Sequence, residues 1–83
     1  MKLLYFAWIR TKLGIAEETV FPSDDISDVQ ELIGWLGSRD DKFRAVFSDE
    51  THIKVAVNQE YVDFNHPVKH GDEVAFFPPV TGG

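Results

Sequence analysis

The sequence predicts an α+β fold, a mixed β-sheet with one main helix packed on one face, and three observations point to it. Residues 2–9 (KLLYFAWI) are apolar on both alternating faces, as a central strand is. Val29, Leu32, Ile33 and Leu36 recur at i, i+3, i+4 and i+7, the spacing of one buried helical stripe. Ile53, Val55 and Val57 alternate with Lys54, Ala56 and Asn58, the period of two that a strand imposes.

Each element follows in chain order. In residues 2–9, Leu4, Phe6 and Trp8 share one face, and Leu3, Tyr5, Ala7 and Ile9 share the other. Gly14 is a turn residue, and residues 17–21 (EETVF) form a β-leaning stretch stopped by Pro22, Ser23, Asp24 and Asp25, so the first two strands are expected to form a hairpin. Ser27 and Gln30 have capping-box spacing, in which the hydroxyl accepts from an orphan amide and the glutamine reaches back to the cap. A helix is therefore expected to start there, with Asp28 and Glu31 complementing its dipole and Gly37 ending it. Phe43, Val46 and Phe47 repeat at i, i+3 and i+4 within residues 40–47, enough for one or two helical turns on the same core. Asn58-Gln59 begins a tight connection into Tyr61-Val62. Residues 63–70 are broken by Pro67 and lead through Gly71-Asp72 into a last strand, residues 73–77 (EVAFF). Pro78-Pro79 removes two backbone donors, so the ladder stops there. Phe6, Trp8, Trp35, Phe43 and Phe47 are expected in the core, with the helix edge an alternative for Trp35. One helix covers only one sheet face, so some of Tyr5, Tyr61, Phe64 and Phe77 are expected to stay exposed, where aromatic side chains anchor partners.

Composition narrows the function. The chain's 83 residues suffice for one domain, residues 1–83, with 78–83 as a projecting tail. The 43% hydrophobic content is enough to fold it. There is no cysteine, which excludes thiolate nucleophiles, thiolate zinc sites and iron–sulfur ligation within this chain. Fourteen acidic against eight basic residues give a net charge of −6, which repels nucleic acid and anionic membrane surfaces. The apolar run near the start is too short to span a bilayer and lacks a leader cleavage signal, so a soluble cytoplasmic protein is expected. His52, His66 and His70 have no ligand spacing, and Asp24, Asp25 and Asp28, like Asp40-Asp41 and Asp49-Glu50, read as caps and solvated turns, so no metal site is expected.

The tail carries the chemistry. Val80-Thr81-Gly82-Gly83 follows a stiff di-proline, and the six residues from Pro78 can extend about 20 Å, long enough to reach into another protein's active site. A terminal carboxyl has a reference pKa of about 3.3–3.7 and is a poor electrophile as its anion at neutral pH. Activation by ATP to a mixed anhydride with AMP makes it open to a sulfur nucleophile, and Gly83 has no Cβ to obstruct the attack. A Gly-Gly ending alone is also compatible with frayed chain.

Val57-Asn58-Gln59 and the closing run GDEVAFFPPVTGG, residues 71–83, resemble the small, sulfur-carrying subunits of molybdopterin synthase. The likeness spans the chain in length and element order, with Phe6-Ala7 and Ile9-Arg10 near the start, and His70 departs from it where the family has an acidic residue. The resemblance implies a ubiquitin-like β-grasp fold with a flexible C-terminal Gly-Gly tail. It implies that Gly83 is adenylated by an E1-like adenylyltransferase using ATP and converted to a thiocarboxylate, with no cofactor bound. The tail then enters the large subunit of molybdopterin synthase, which supplies the catalytic side chains, and sulfur passes to cyclic pyranopterin monophosphate to build the dithiolene. Two small and two large subunits are implied, with Gly82, Thr81, Val80, Phe77, Tyr61 and Arg10 meeting partners. The small subunit is then no enzyme by itself. The alternatives are a sulfur carrier for thiazole or amino-acid synthesis, a ubiquitin-like modifier joined to lysines, and a plain interaction domain with an inert tail.

Overall fold

The computed structural model describes residues 1–79. Strand β1 (Lys2–Tyr5) pairs antiparallel with β2 (Glu17–Thr19) and parallel with β5 (Glu73–Phe77). β5 pairs antiparallel with β3 (Lys54–Val57), which pairs antiparallel with β4 (Glu60–Val62), giving the order β2-β1-β5-β3-β4. Three helices, α1 (Ala7–Leu13), α2 (Val29–Gly37) and α3 (Asp41–Phe47), and a 3-10 turn at Glu50–His52 complete it. A mixed five-stranded sheet with the main helix α2 between its two antiparallel pairs is the ubiquitin-like β-grasp arrangement.

Register explains which residues face the core. One cross-sheet row runs Tyr5, Phe76, Val55, Val62, and the next runs Leu4, Ala75, Ala56, Tyr61. Because strand side chains alternate, the first row points to the helices and the second away from them. Tyr5, Phe76 and Val55 are accordingly buried with Leu32, Ile33 and Leu36 of α2 and Phe43 and Phe47 of α3, whereas Tyr61 is 83% exposed. The α2 stripe and the second helical segment match the spacing of their apolar residues.

Several expectations need correction. Residues 2–9 are not one strand: β1 stops at Tyr5 and α1 begins at Ala7. Ile9 and Leu13 are both buried at i, i+4 spacing, which one face of a helix satisfies as well as one face of a strand, so alternation alone does not separate the two. Phe6 and Trp8 are consequently not core residues but 46% and 37% exposed. Tyr5, weighed as an exposed anchor, is buried, Phe64 and Trp35 are half-buried against the core, and Phe77 is half-buried. The first two strands pair as expected, but across a helix closed by Gly14 at φ 78° and not across a tight turn. The second strand ends at Thr19, leaving Phe21 80% exposed. The α2 cap is Asp28, whose carboxylate accepts from the Glu31 amide at 2.8 Å, while Glu31 accepts from the amide and hydroxyl of Ser27 at 2.8 and 2.7 Å. The expected Ser27–Gln30 box is replaced by a related arrangement one residue later, in which Asp28 caps the Glu31 amide and Glu31 reaches back past the cap to Ser27, both carboxylates accepting charge-assisted bonds.

Two polar clusters hold the periphery. The buried Tyr5 hydroxyl donates to Glu18 Oε2 at 2.7 Å, and Arg39 grips both Glu18 oxygens at 2.8 and 3.1 Å. Its guanidinium lies 4.5 Å from the Phe43 ring centre and 5.5 Å from that of Trp35. Burial disfavours the Glu18 anion, but the bonds from Arg39 and Tyr5 outweigh it and hold its carboxyl below the usual range. Burial, then the Glu18 bond and charge, push the Tyr5 phenol far up. At the other end Asn58 and Gln59, at φ 51° and 70°, make the two-residue β3–β4 turn. Asn58 also donates to buried Asp72 at 3.1 Å and accepts from the Glu73 amide at 3.0 Å, tying that hairpin to β5.

Candidate functional site

The sheet face turned away from the helices is the candidate site. At its centre the register sets two alanines side by side, Ala75 of β5 and Ala56 of β3, with Leu4 and Tyr61 at the ends of the row. Small side chains flanked by large ones make a concave floor. Phe6, Ala56, Gln59, Tyr61, Ala75, Phe77 and Pro78 line a hollow of about 420 Å³ there. The Tyr61 and Phe77 rings lie 5.4 Å apart at 45° and form a ridge. Beyond the ridge a second hollow of about 400 Å³ is lined by Lys54, Val55, Tyr61, Val62, Asp63 and Phe77.

The face is open for a topological reason: all three helices leave it uncovered, yet β5 alternates apolar residues on both sides, Val74 and Phe76 inward, Ala75 and Phe77 outward. Phe77 is also the last residue of the ladder, opposite Lys54, so the chain leaves the sheet from the rim of this hollow through Pro78 and Pro79. An apolar surface beside the point where a chain end departs can bind a partner and aim that end.

Of the residues singled out from the sequence, Tyr61 and Phe77 are brought together on this face. Arg10 is exposed on α1 and lines neither hollow, and its side chain makes no ion pair among the described residues. Val80, Thr81, Gly82 and Gly83 lie outside the described residues. Phe6 was missed, having been assigned to the core. Its parity with Leu4, opposite to Leu3 and Tyr5, was the signal that put it on the uncovered face. The two alanines carried no such signal, because only strand register makes Ala56 and Ala75 neighbours.

Among the described residues no three His, Cys, Asp or Glu side chains gather as metal ligands, and His52 and His70 instead pair with Asp49 at 2.6 Å and Asp24 at 2.8 Å. No helix among the described residues is long and apolar enough to cross a membrane.

Comparison with known proteins agrees with this geometry. The model of the ThiS family matches residues 3–83. The molybdopterin synthase sulfur carrier subunit of Escherichia coli K12 is 40% identical over 83 residues, covering 100% of this chain and 99% of that one. A solved structure of molybdopterin converting factor subunit 1 from Pyrococcus furiosus superposes with a TM-score of 0.76 at 33% identity, over 95% of each chain. SAMP1 of Haloferax volcanii does so with a TM-score of 0.77 at 30% identity, over 100% of this chain and 98% of that one. The chain therefore belongs to the ThiS family, alongside the molybdopterin synthase sulfur carrier subunits.

Proposed function

We propose that this protein is the sulfur-carrier subunit of a molybdopterin synthase, with the Gly83 carboxyl as the cargo site. What supports this above all is the 40% identity to the Escherichia coli subunit across the whole chain. In this scheme an E1-like adenylyltransferase joins the Gly83 carboxylate to AMP, releasing pyrophosphate from ATP. Sulfide-level sulfur, delivered as hydrosulfide by a donor, then displaces AMP and leaves a thiocarboxylate. The apolar face around Tyr61 and Phe77 docks on the large subunit, with Arg10 as a polar contact, and the tail of Val80, Thr81 and Gly82 carries Gly83 into that subunit's active site. There the sulfur moves to cyclic pyranopterin monophosphate, water supplies the oxygen that takes its place on Gly83, and the regenerated carboxylate is ready for another round. The small subunit contributes no catalytic side chain, binds no cofactor, and works in a cytoplasmic assembly of two small and two large subunits.

The test is intact-mass measurement after incubation with the adenylyltransferase, ATP and a sulfur donor. The expected result is a gain equal to sulfur replacing oxygen, absent in a chain lacking Gly83, which keeps its fold but supports no molybdopterin formation. An unchanged mass for the full chain, or full activity of the truncated one, overturns the proposal. The Gly-Gly ending also supports a second reading, in which Gly83 is joined to lysines of other proteins. Lysine-linked conjugates in cell extracts, with no binding to the large subunit, would establish it instead.

A further inference from the structure

Two adjacent residues break local rules where β1 becomes α1. Phe6 occupies the N-cap of α1 in an extended conformation and makes no side-chain cap bond. The caps of α2 and α3, Asp28 and Asp40, each accept from the amide three residues on. An apolar N-cap is less stabilising than Ser, Asp or Asn. The next residue, Ala7, has φ 54°. The other non-glycine residues with positive φ among those described are Asn58 and Gln59, which the two-residue hairpin requires, whereas no hairpin accounts for Ala7. For a residue with a Cβ this conformation is uphill and persists only where its surroundings hold it.

The surroundings do hold it. On one side the Phe6 amide donates to Phe76 O at 3.1 Å, continuing the β1–β5 pairing one residue past the strand. On the other, Phe6 O accepts from the Ile9 and Arg10 amides at 3.1 and 3.3 Å, and Ile9 and Leu13 anchor α1 in the core. The whole change from strand to helix is thus forced into Ala7. The consequence is that Phe6 stays in strand geometry, and its ring lies on the uncovered face in the same hollow as Phe77 and Pro78.

We infer that Ala7 is a positioning residue for partner docking: its left-handed backbone holds Phe6 on the rim of the apolar hollow from which the tail departs. The inference rests on the proposed docking role of that face. The fold requires a turn from strand to helix here but not an alanine to make it, since glycine or asparagine would adopt the same backbone with less strain, and local rules broken by residue choice are expected where function sets the geometry. The methyl of Ala7 narrows the left-handed basin, which fixes the direction of Phe6, whereas glycine widens it and asparagine, suited to that basin, keeps it narrow.

The test compares Ala7→Gly, Ala7→Asn and Tyr61→Ala in the full-length chain, measuring affinity for the molybdopterin synthase large subunit, Tm, and hydrogen exchange of the Phe6 amide. Ala7→Gly is expected to keep or raise Tm, to lose exchange protection at Phe6, and to bind about two- to fivefold more weakly, the entropy of confining a glycine again. Ala7→Asn is expected to match the parent in affinity and protection. Equal affinity for Ala7→Gly and the parent, with Tyr61→Ala impaired, overturns the role of Ala7, as does Ala7→Asn binding no better than Ala7→Gly. Parent-like binding by Tyr61→Ala overturns the docking face itself.

Discussion

Tyr61 makes the separation of stability from recognition visible in one side chain. At 83% exposure its removal takes little area out of the fold, while its ring supports the ridge with Phe77. Tyr61→Ala is expected to shift Tm by only a degree or two and to weaken binding to the large subunit at least tenfold, read by calorimetry of both. Glu18 is the opposite case, a half-buried carboxylate that joins β2 to the helical layer. Its folded-state pKa is depressed from the ordinary 4.5, so its contribution is fully present above about that pH. It is lost as pH falls through the lowered folded value. Arg39→Met is expected to reduce stability at neutral pH by about 1 kcal/mol, a figure held down by partial solvent screening. It should also flatten the acid-side decline of Tm expected of the parent below about pH 4.5. A parent-like acid slope in Arg39→Met would show that Glu18 does not carry this dependence.

At the scale of elements, the β3–β4 hairpin and α2 give contrasting expectations. Gln59 adopts φ 70°, a conformation glycine reaches without strain, so Gln59→Gly is expected to raise Tm by a few degrees. Asn58→Gly suits the same turn but removes the bonds to Asp72 and to the Glu73 amide, and is expected to lower Tm despite its compatible backbone. Thermal melts of the two variants side by side separate turn geometry from hydrogen bonding. Helix α2 supplies four buried side chains, and Leu32 is fully enclosed. Leu32→Ala is expected to lose about 2–5 kcal/mol, a large share of the roughly 4–12 kcal/mol typical of a chain this short, and to unfold near body temperature.

Over the whole molecule, the described core and the proposed cargo site occupy different stretches of chain. Among the described residues every member of the hydrophobic core lies between Met1 and Phe76, and the last ladder pair is Phe77 with Lys54. Removing residues 80–83 is therefore expected to leave Tm within about a degree of the parent while abolishing sulfur loading, checked by melting and intact mass on one preparation. The uncovered face follows from the same economy: a short chain has helices enough for one side of its sheet, and the other side is left open.

Much of this was legible from the sequence alone. The α2 stripe, the paired β3–β4 segments, residues 73–77 as the last strand and the lack of any cysteine all follow from periodicity, turn chemistry and composition, which are local quantities. The closing run pointed to the carrier family by its residues. The tertiary structure decided what local patterns leave ambiguous. Residues 2–9 satisfy a strand period, and only the end of pairing with β5 and the burial of Ile9 and Leu13 turn Ala7–Leu13 into a helix. Phe6 moves from the expected core to the rim of the open hollow for that reason, and Ala56 joins Ala75 as a floor through strand register. Spacing along the chain reports which residues share a face, whereas which face stays open depends on contacts between segments far apart in sequence.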